Sequence, residues 1–281
     1  MTGPPQSRQD ARHLERSSRC SVKVSDRACG ITNSRVASCG GRRKVDRAFI
    51  CSCDRRIPSP GKTSMLLVGR YTSPFSRRVA VSLRYLGFEY EHKAINAWSN
   101  LAEMRSYNPV GRVPALVLDN GEVLFDSNAI LDYLDFMVGP EKALTPLEEP
   151  ARHGVMRIIV CAMGALEKMV HSVYEVTMHP KEKVHDPWID HNLSQTELGL
   201  DWLDQIGQTP WMAGERFTQA DITTTIVAQF ALARFPERFA PGTYPNLDSL
   251  SARVMELPAW QETVPAPDEA KLKVSIPTEE D

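Results

Sequence analysis

The amino-acid sequence predicts an α/β domain followed by an all-helical domain, with a stretch of different composition in front of both. From Met65 an apolar strand, a helical run and a second strand follow one another, and a hairpin and another helix complete a unit at about residue 139. Prolines interrupt this pattern in a linker at 140–150. Beyond it, apolar residues recur only at helical spacing, so 151–262 is predicted to be a helical domain and 263–281 a tail.

The first 64 residues differ from the rest in charge and in cysteine content. They hold 14 Lys and Arg against 5 Asp and Glu, whereas the remainder holds 19 against 30, and five of the six cysteines lie in them. Their only aromatic residue is Phe49 and no periodicity persists, so we expect a disordered basic extension. Cys51 and Cys53 fit no zinc-site spacing. Met65 is the expected natural start, with 1–64 arising from a start assigned too far upstream.

The composition of the whole chain argues against several classes of function. A net charge of −2 over 281 residues does not indicate broad electrostatic binding to nucleic acid or to a membrane surface. No apolar run approaches the ~18–20 residues that a membrane span needs. The histidines of the helical domain lack the spacing of metal ligands, so we expect no metal; they are His171, His179, His185 and His191.

The first helix has clear signals at both ends. A short strand at Leu66–Val68 leads into Ser73 and Pro74, which are typical of the N-cap and the first position of a helix. Apolar residues then recur near helical spacing until Gly87, which we expect to adopt a left-handed conformation and end the helix. A second strand is predicted at 88–95 and a short polar helix at about 99–107.

A hairpin and a helix complete the first domain. The apolar run at 113–118 and the residues 122–125 are joined by Asp119-Asn120-Gly121, a typical hairpin turn. Pro114 must lie at the beginning or the edge of its strand, because proline cannot donate to a ladder. Asp126 and Ser127 then begin another helix.

The helical domain contains four predicted helices and a strong start signal. Apolar stripes run through 155–173, 189–206, 222–233 and 247–257. Thr218 and Asp221 have the spacing of a capping box at the start of the third, so their expected role is structural.

Four local features, in this order and spacing, resemble the glutathione S-transferase superfamily over about 65–260. They are the turn from Tyr71 to Val79, the segment Asn108-Pro109-x-Gly-Arg112-Val113-Pro114-Ala115-Leu116, the segment Phe125-Asp126-Ser127-Asn128-Ala129-Ile130, and the Thr218-x-x-Asp221 box. The resemblance is strongest to bacterial members of the serine type. It implies a thioredoxin-like domain followed by an α-helical bundle, with glutathione as the co-substrate and no metal.

In this family a hydroxyl or thiol at the start of the first helix stabilises the glutathione thiolate, and Ser73 lies at that position. From local sequence alone a plain N-cap is the favoured role of Ser73, and the resemblance reverses that preference. Tyr71 is the second candidate, because tyrosine-type members keep their hydroxyl near it. Ser76 is a third, although we expect it to face solvent or to cap. Phe75 stands where the maleylacetoacetate isomerase branch has a small residue or cysteine, which argues against that branch.

The resemblance also assigns the residues that hold glutathione. A cis bond between Val113 and Pro114 would present the Val113 backbone to the cysteinyl part of the tripeptide. Asp126 and Ser127 would hold the γ-glutamyl end, although the family more often has Glu at the acidic position. Arg112 would neutralise a glutathione carboxylate. Local sequence alone allows simpler roles: an edge-strand proline, a capping pair and a solvated arginine.

For the pocket that receives the second substrate, the acceptor of the glutathione thiol, the resemblance points to Arg157, Tyr174 and Met178. Their other interpretation is as ordinary helix-surface and core residues. The implied protein is a cytoplasmic homodimer that transfers glutathione to a small hydrophobic electrophile, without nucleic-acid or membrane partners. Two alternatives remain open: a non-catalytic binding or scaffold module on the same fold, and a glutathione-dependent isomerase or peroxidase.

Overall fold

The computed structural model describes residues 65–207, 210–267 and 269. The predictions for the extension 1–64 and for most of the tail lie outside these residues. The first domain has the predicted order of elements, namely β1 (Met65–Val68), α1 (Pro74–Tyr85), β2 (Tyr90–Lys93), α2 (Leu101–Tyr107), β3 (Ala115–Val117), β4 (Val123–Phe125) and α3 (Ser127–Val138). The sheet order is β2-β1-β3-β4, with β1 and β2 parallel and the other pairs antiparallel.

Local sequence signals account for the ends of these elements. Pro74 occupies the first turn of α1, as predicted. Gly87 has φ of +80°, and its N–H donates to the carbonyl of Arg84, which ends the helix as predicted. Gly121, with φ of +82°, closes the β3–β4 hairpin, where the N–H of Leu118 donates to the carbonyl of Glu122. The strands are shorter than the apolar runs that predicted them.

Helices cover both faces of the sheet. On one face α1 and α3 contribute Val79 and Ile130 to a core with Leu67 and Leu116. On the other face Met104 of α2 is fully buried in a smaller core that also contains Val68, Ile95 and Ala115. The sheet is therefore buried on both sides, and only the loops at its ends are available for binding.

The second domain is built around α6. Its elements are α4 (Ala151–Met178), a short 3₁₀ turn (Lys181–Lys183), α5 (Asp186–Ile206), α6 (Gln219–Arg234), α7 (Pro245–Met255) and α8 (Pro258–Gln261). The first half of α6 is buried on all sides, including Thr223, Thr224 and Thr225. The predicted last helix at 247–257 is divided between α7 and α8, because Pro258 begins a new turn.

The predicted capping box begins α6. The Asp221 carboxylate accepts hydrogen bonds from the Thr218 N–H at 2.7 Å and from the Thr218 hydroxyl at 2.9 Å, and also from the Met212 N–H at 2.7 Å. Burial raises the pKa of Asp221, although these donors act in the opposite direction. Both residues of the box are buried, so the box forms part of the core of the helical domain.

Helix α1 joins the two domains. The Ser82 hydroxyl donates to the Gln219 side-chain oxygen at 2.7 Å, in a buried contact with the first residue of α6. The Arg77 guanidinium lies 4.1 Å from the centroid of the Trp260 ring in α8. The helix that carries Ser73 at its start is thus held against the helical domain along much of its length.

Candidate functional site

Ser73 lies at the N-cap of α1 with its hydroxyl free of the capping role. Its backbone is extended, its side chain makes no capping hydrogen bond, and the residue is half-buried. The first turn of α1 contains no acidic residue, while in the loop before it the Glu269 carboxylate accepts from the Tyr71 N–H at 2.7 Å. Of the two local interpretations, the structure does not support the plain N-cap. A hydroxyl donor and a helix N-terminus meet at one place, and this combination favours an anion.

The Tyr71 hydroxyl lies in the core of the first domain. It is 2.7 Å from the Tyr90 hydroxyl of β2, and the Tyr71 ring stacks on His92 with 3.8 Å between centroids. Burial, together with this hydrogen bond, raises the pKa of Tyr71 far above its ordinary value. Because the hydroxyl is both engaged and buried, the geometry argues against Tyr71 as the partner of a substrate thiol.

The expectation that Ser76 faces solvent or caps the helix is wrong. Ser76 is fully buried, and its hydroxyl has no hydrogen-bond partner among the described residues. It lies against Gly69, which has φ of +133°; a Cβ at Gly69 would be 2.5 Å from the Ser76 oxygen and 2.9 Å from Cβ of Val113. The end of β1, the first turn of α1 and the loop before β3 are therefore in close contact, and this contact requires glycine.

That loop carries the predicted cis bond. The Val113–Pro114 peptide is cis, as expected from the resemblance. Asn108 braces the loop, because its side chain donates to the Arg112 carbonyl at 2.8 Å and accepts from the Val110 N–H at 3.0 Å. Arg112 itself is exposed.

Asp126 and Ser127 form a tight corner between β4 and α3. Asp126 has φ of +69°, which is uncommon for a residue with a side chain, and its carboxylate caps α3 by accepting from the Asn128 N–H at 2.8 Å. Asp126 is exposed, whereas Ser127 is buried and its hydroxyl accepts from Nη1 of Arg78 at 3.2 Å. Arg78 is a residue that sequence reasoning missed. The sequence feature that could have pointed to Arg78 is its position directly before Val79 on the apolar face of α1.

On the acceptor side, Tyr174 lies beside residues of the first domain. Its ring meets Trp98 edge to face, with 5.2 Å between centroids. Burial raises the pKa of Tyr174, and the positive charge of Arg112 opposes this rise. The Arg112 guanidinium is also 5.9 Å from the Phe75 ring centroid. Trp98 beside Tyr174 and Phe75 beside Arg112 are aromatic residues that the sequence did not single out for this role.

The predicted acceptor residues do not all lie together. Met178 is half-buried one turn beyond Tyr174. Arg157 lies in the first third of α4, roughly 25 Å of helix before Tyr174. It lines a separate cavity of about 460 Å³ within the helical domain, and its guanidinium is 5.8 Å from the Trp202 ring centroid. The structure thus places Tyr174 beside Trp98 of the first domain, whereas Arg157 lines a cavity of the helical domain.

Within the described residues, no group of three or more His, Cys, Asp or Glu side chains is arranged to hold a metal ion. None of the helices in the described part of the chain has both the length and the apolar character that crossing a bilayer requires.

Comparison with known proteins identifies the family. Residues 67–141 match the family described as "Glutathione S-transferase, N-terminal domain". A Pseudomonas aeruginosa protein named maleylacetoacetate isomerase is 32% identical over 213 residues, which are 72% of this chain and 96% of the relative. The chain belongs to the glutathione S-transferase superfamily. A zeta-class glutathione S-transferase of Euphorbia esula is 27% identical, over 74% of this chain and 93% of the relative.

Solved glutathione S-transferases have the same architecture. A Methylobacillus flagellatus glutathione S-transferase with glutathione bound superposes with a TM-score of 0.68 at 28% identity, covering 72% of this chain and 100% of that one. A Methylobacterium radiotolerans family member in complex with glutathione sulfonate gives a TM-score of 0.68 at 26% identity, covering 72% and 95%. The predicted fold class, a thioredoxin-like domain followed by a helical domain, is confirmed.

Proposed function

We propose that this protein is an enzyme that binds glutathione and activates its thiol for attack on a small hydrophobic electrophile, with Ser73 as the catalytic hydroxyl. The observation that carries the proposal is the Ser73 side chain, which makes no capping bond at the start of a helix whose first turn has no acidic residue. Solved relatives that share the fold hold glutathione or its sulfonate, which supports the choice of co-substrate.

The magnitudes are sufficient for this role. A free thiol has a pKa of about 8.5, and lowering it by about two units requires roughly 2.7 kcal/mol in favour of the anion. A hydrogen bond to a charged group contributes about 1.5–3 kcal/mol. The helix N-terminus adds about 0.3–1 kcal/mol. One hydroxyl and one helix end together cover the requirement.

The remaining contacts to glutathione are assigned by the resemblance and fit the geometry. Asp126 offers an exposed carboxylate to the γ-glutamyl ammonium, while Ser127 and the free N–H groups of α3 suit the neighbouring carboxylate. The Val113 backbone would pair with the cysteinyl residue, and Arg112 would meet the glycine carboxylate. Phe75, which lies beside Arg112, and the pair Trp98 and Tyr174 would then receive the electrophile.

Isomerisation of a conjugated cis double bond is the second candidate function. It is favoured by the Pseudomonas aeruginosa relative, whose name is maleylacetoacetate isomerase. The thiolate would add to the double bond, the resulting single bond would rotate, and elimination would form the trans bond and return the thiolate. This relative weighs against the argument that Phe75 excludes the isomerase branch. Both reactions need the same activated sulfur, so the assignment of Ser73 does not depend on the choice.

We also propose that the active form is a homodimer, as is usual in the family. Apolar side chains are exposed on α3 and α4, where Phe136 is 62% and Val160 is 63% exposed, and Phe125 is exposed at the adjacent end of β4. Large exposed apolar side chains of this kind are what a subunit interface would bury.

Two measurements test the proposed function. Isothermal titration with glutathione should show binding. Turnover should then appear with either an activated aryl halide, which reports conjugation, or maleylacetoacetate, which reports isomerisation. Absence of binding would overturn the proposal. Binding without turnover of any acceptor in a broad panel would instead favour a binding module on this fold.

A further inference from the structure

A buried arginine lies behind the corner where α3 begins. Arg78 is 1% exposed, and its Nη1 atom lies within hydrogen-bond distance of the Ser127 hydroxyl at 3.2 Å, the Asn128 side-chain oxygen at 2.9 Å and the Met163 sulfur at 2.9 Å. It thus connects α1, α3 and α4 at one point.

Although the negative charge of Asp126 at the start of α3 acts on Arg78 and opposes the effect of burial, Arg78 forms no direct ion pair in the described part of the chain. None of the ion pairs formed there includes it, and its Nε atom is buried without a hydrogen-bond partner. Burial lowers the pKa of Arg78 to about 10, which still leaves it charged at neutral pH. A buried charge without a directly bonded counter-ion is costly, and an anion held in front of Ser127 would offset part of that cost.

The hydrogen bond to Ser127 fixes the direction of the hydroxyl. Because the Ser127 oxygen accepts from Arg78, its own hydrogen remains available for another acceptor. A cationic donor on the oxygen also makes that hydroxyl a stronger donor. The start of α3 adds its positive helix end beside Ser127, although the Asn128 N–H there is already bonded to Asp126.

We propose that Arg78 is a positioning residue for the substrate: through Ser127 and the start of α3 it supplies the positive charge that selects the γ-glutamyl α-carboxylate of glutathione. Arg78 does not reach the ligand itself. This inference rests on the proposed binding of glutathione. It adds the residue that makes the site prefer a ligand with the γ-glutamyl α-carboxylate over one without it.

The test compares glutathione with γ-aminobutyryl-cysteinyl-glycine, which is the same molecule without the γ-glutamyl α-carboxylate. The measured quantity is the ratio of the two dissociation constants, obtained by isothermal titration. In the unmodified protein glutathione should bind more tightly. Arg78→Gln should reduce this preference about tenfold or more, mainly by weakening the binding of glutathione. If Arg78 had a purely structural role, the substitution would weaken the binding of both ligands equally and leave the ratio of their dissociation constants unchanged.

Arg77→Gln is the matched control, because Arg77 lies next in the same helix and stacks on Trp260. It should keep the ratio of the unmodified protein. In a Ser127→Ala background, Arg78→Gln should change the ratio much less, since the effect passes through Ser127. If Arg78→Gln does not fold, Ser127→Ala alone must reduce the ratio.

An unchanged ratio in Arg78→Gln, an equal change in Arg77→Gln, or a normal ratio in Ser127→Ala would overturn the role of Arg78. These outcomes differ from failure of the proposed function, in which the unmodified protein would bind neither ligand.

Discussion

Replacing Ser73 by alanine should raise the pKa of bound glutathione by about 1–2 units, because it removes one hydrogen bond to a charged sulfur worth about 1.5–3 kcal/mol. The hydroxyl makes no capping bond, so the variant should lose little helix stability. The first turn of α1 has no acidic residue, and the helix N-terminus therefore keeps its contribution of about 0.3–1 kcal/mol in the variant. The pKa should accordingly remain somewhat below that of free glutathione.

The assay is the ultraviolet absorbance of the thiolate in the glutathione complex, followed as a function of pH. Turnover of Ser73→Ala should fall about ten- to a hundredfold at pH values below the pKa of bound glutathione in both the unmodified protein and the variant. It should recover at alkaline pH. Tyr71→Phe is the control, because the Tyr71 hydroxyl is bonded to Tyr90 and should leave the titration unchanged. A titration that is identical in Ser73→Ala, or one that moves in Tyr71→Phe, would refute the assignment.

Three further predictions concern stability and assembly. Asp221→Asn should lower the free energy of unfolding by about 1–3 kcal/mol in urea, because the amide replaces an oxygen that accepts capping donors; an unchanged midpoint would contradict this. Gly69→Ala should cost about 1–3 kcal/mol more than Gly121→Ala, because both have positive φ but only the former meets neighbouring atoms, and equal losses in thermal melts would count against the close contact. Phe136→Glu should shift the mass measured by light scattering from dimer to monomer, whereas Leu198→Glu on α5 should not; a dimer in both variants would exclude the proposed α3–α4 interface.

The features that could be predicted from sequence are those decided by neighbours along the chain. Ser73 with Pro74, Gly87 and the Thr218–Asp221 box are local signals, because each depends on hydrogen bonds within one turn of a helix. The cis bond before Pro114 came from the resemblance, since the base rate of cis bonds alone would not predict it.

The features that were missed depend on contacts between distant segments. Ser76 is buried because the Val113 loop closes over the end of β1, and Arg78 matters because α3 and α4 both meet it. Neither neighbour can be read from the spacing within α1. Arg157 and Tyr174 lie on one long helix, and the spacing within that helix does not show which of the two meets the first domain.

The buried hydrogen bond between Ser82 and Gln219 limits how the domains of related proteins can be exchanged. The two halves exchange a polar pair that has no access to water, so a chimera that takes its first half from one relative and its second from another must carry both members of the pair or neither. A hybrid with only one would lose this buried hydrogen bond, and without the serine the Gln219 side-chain oxygen would lose its donor. The break point between parental genes is therefore constrained by one hydrogen bond far from the linker, where a designer would naturally cut.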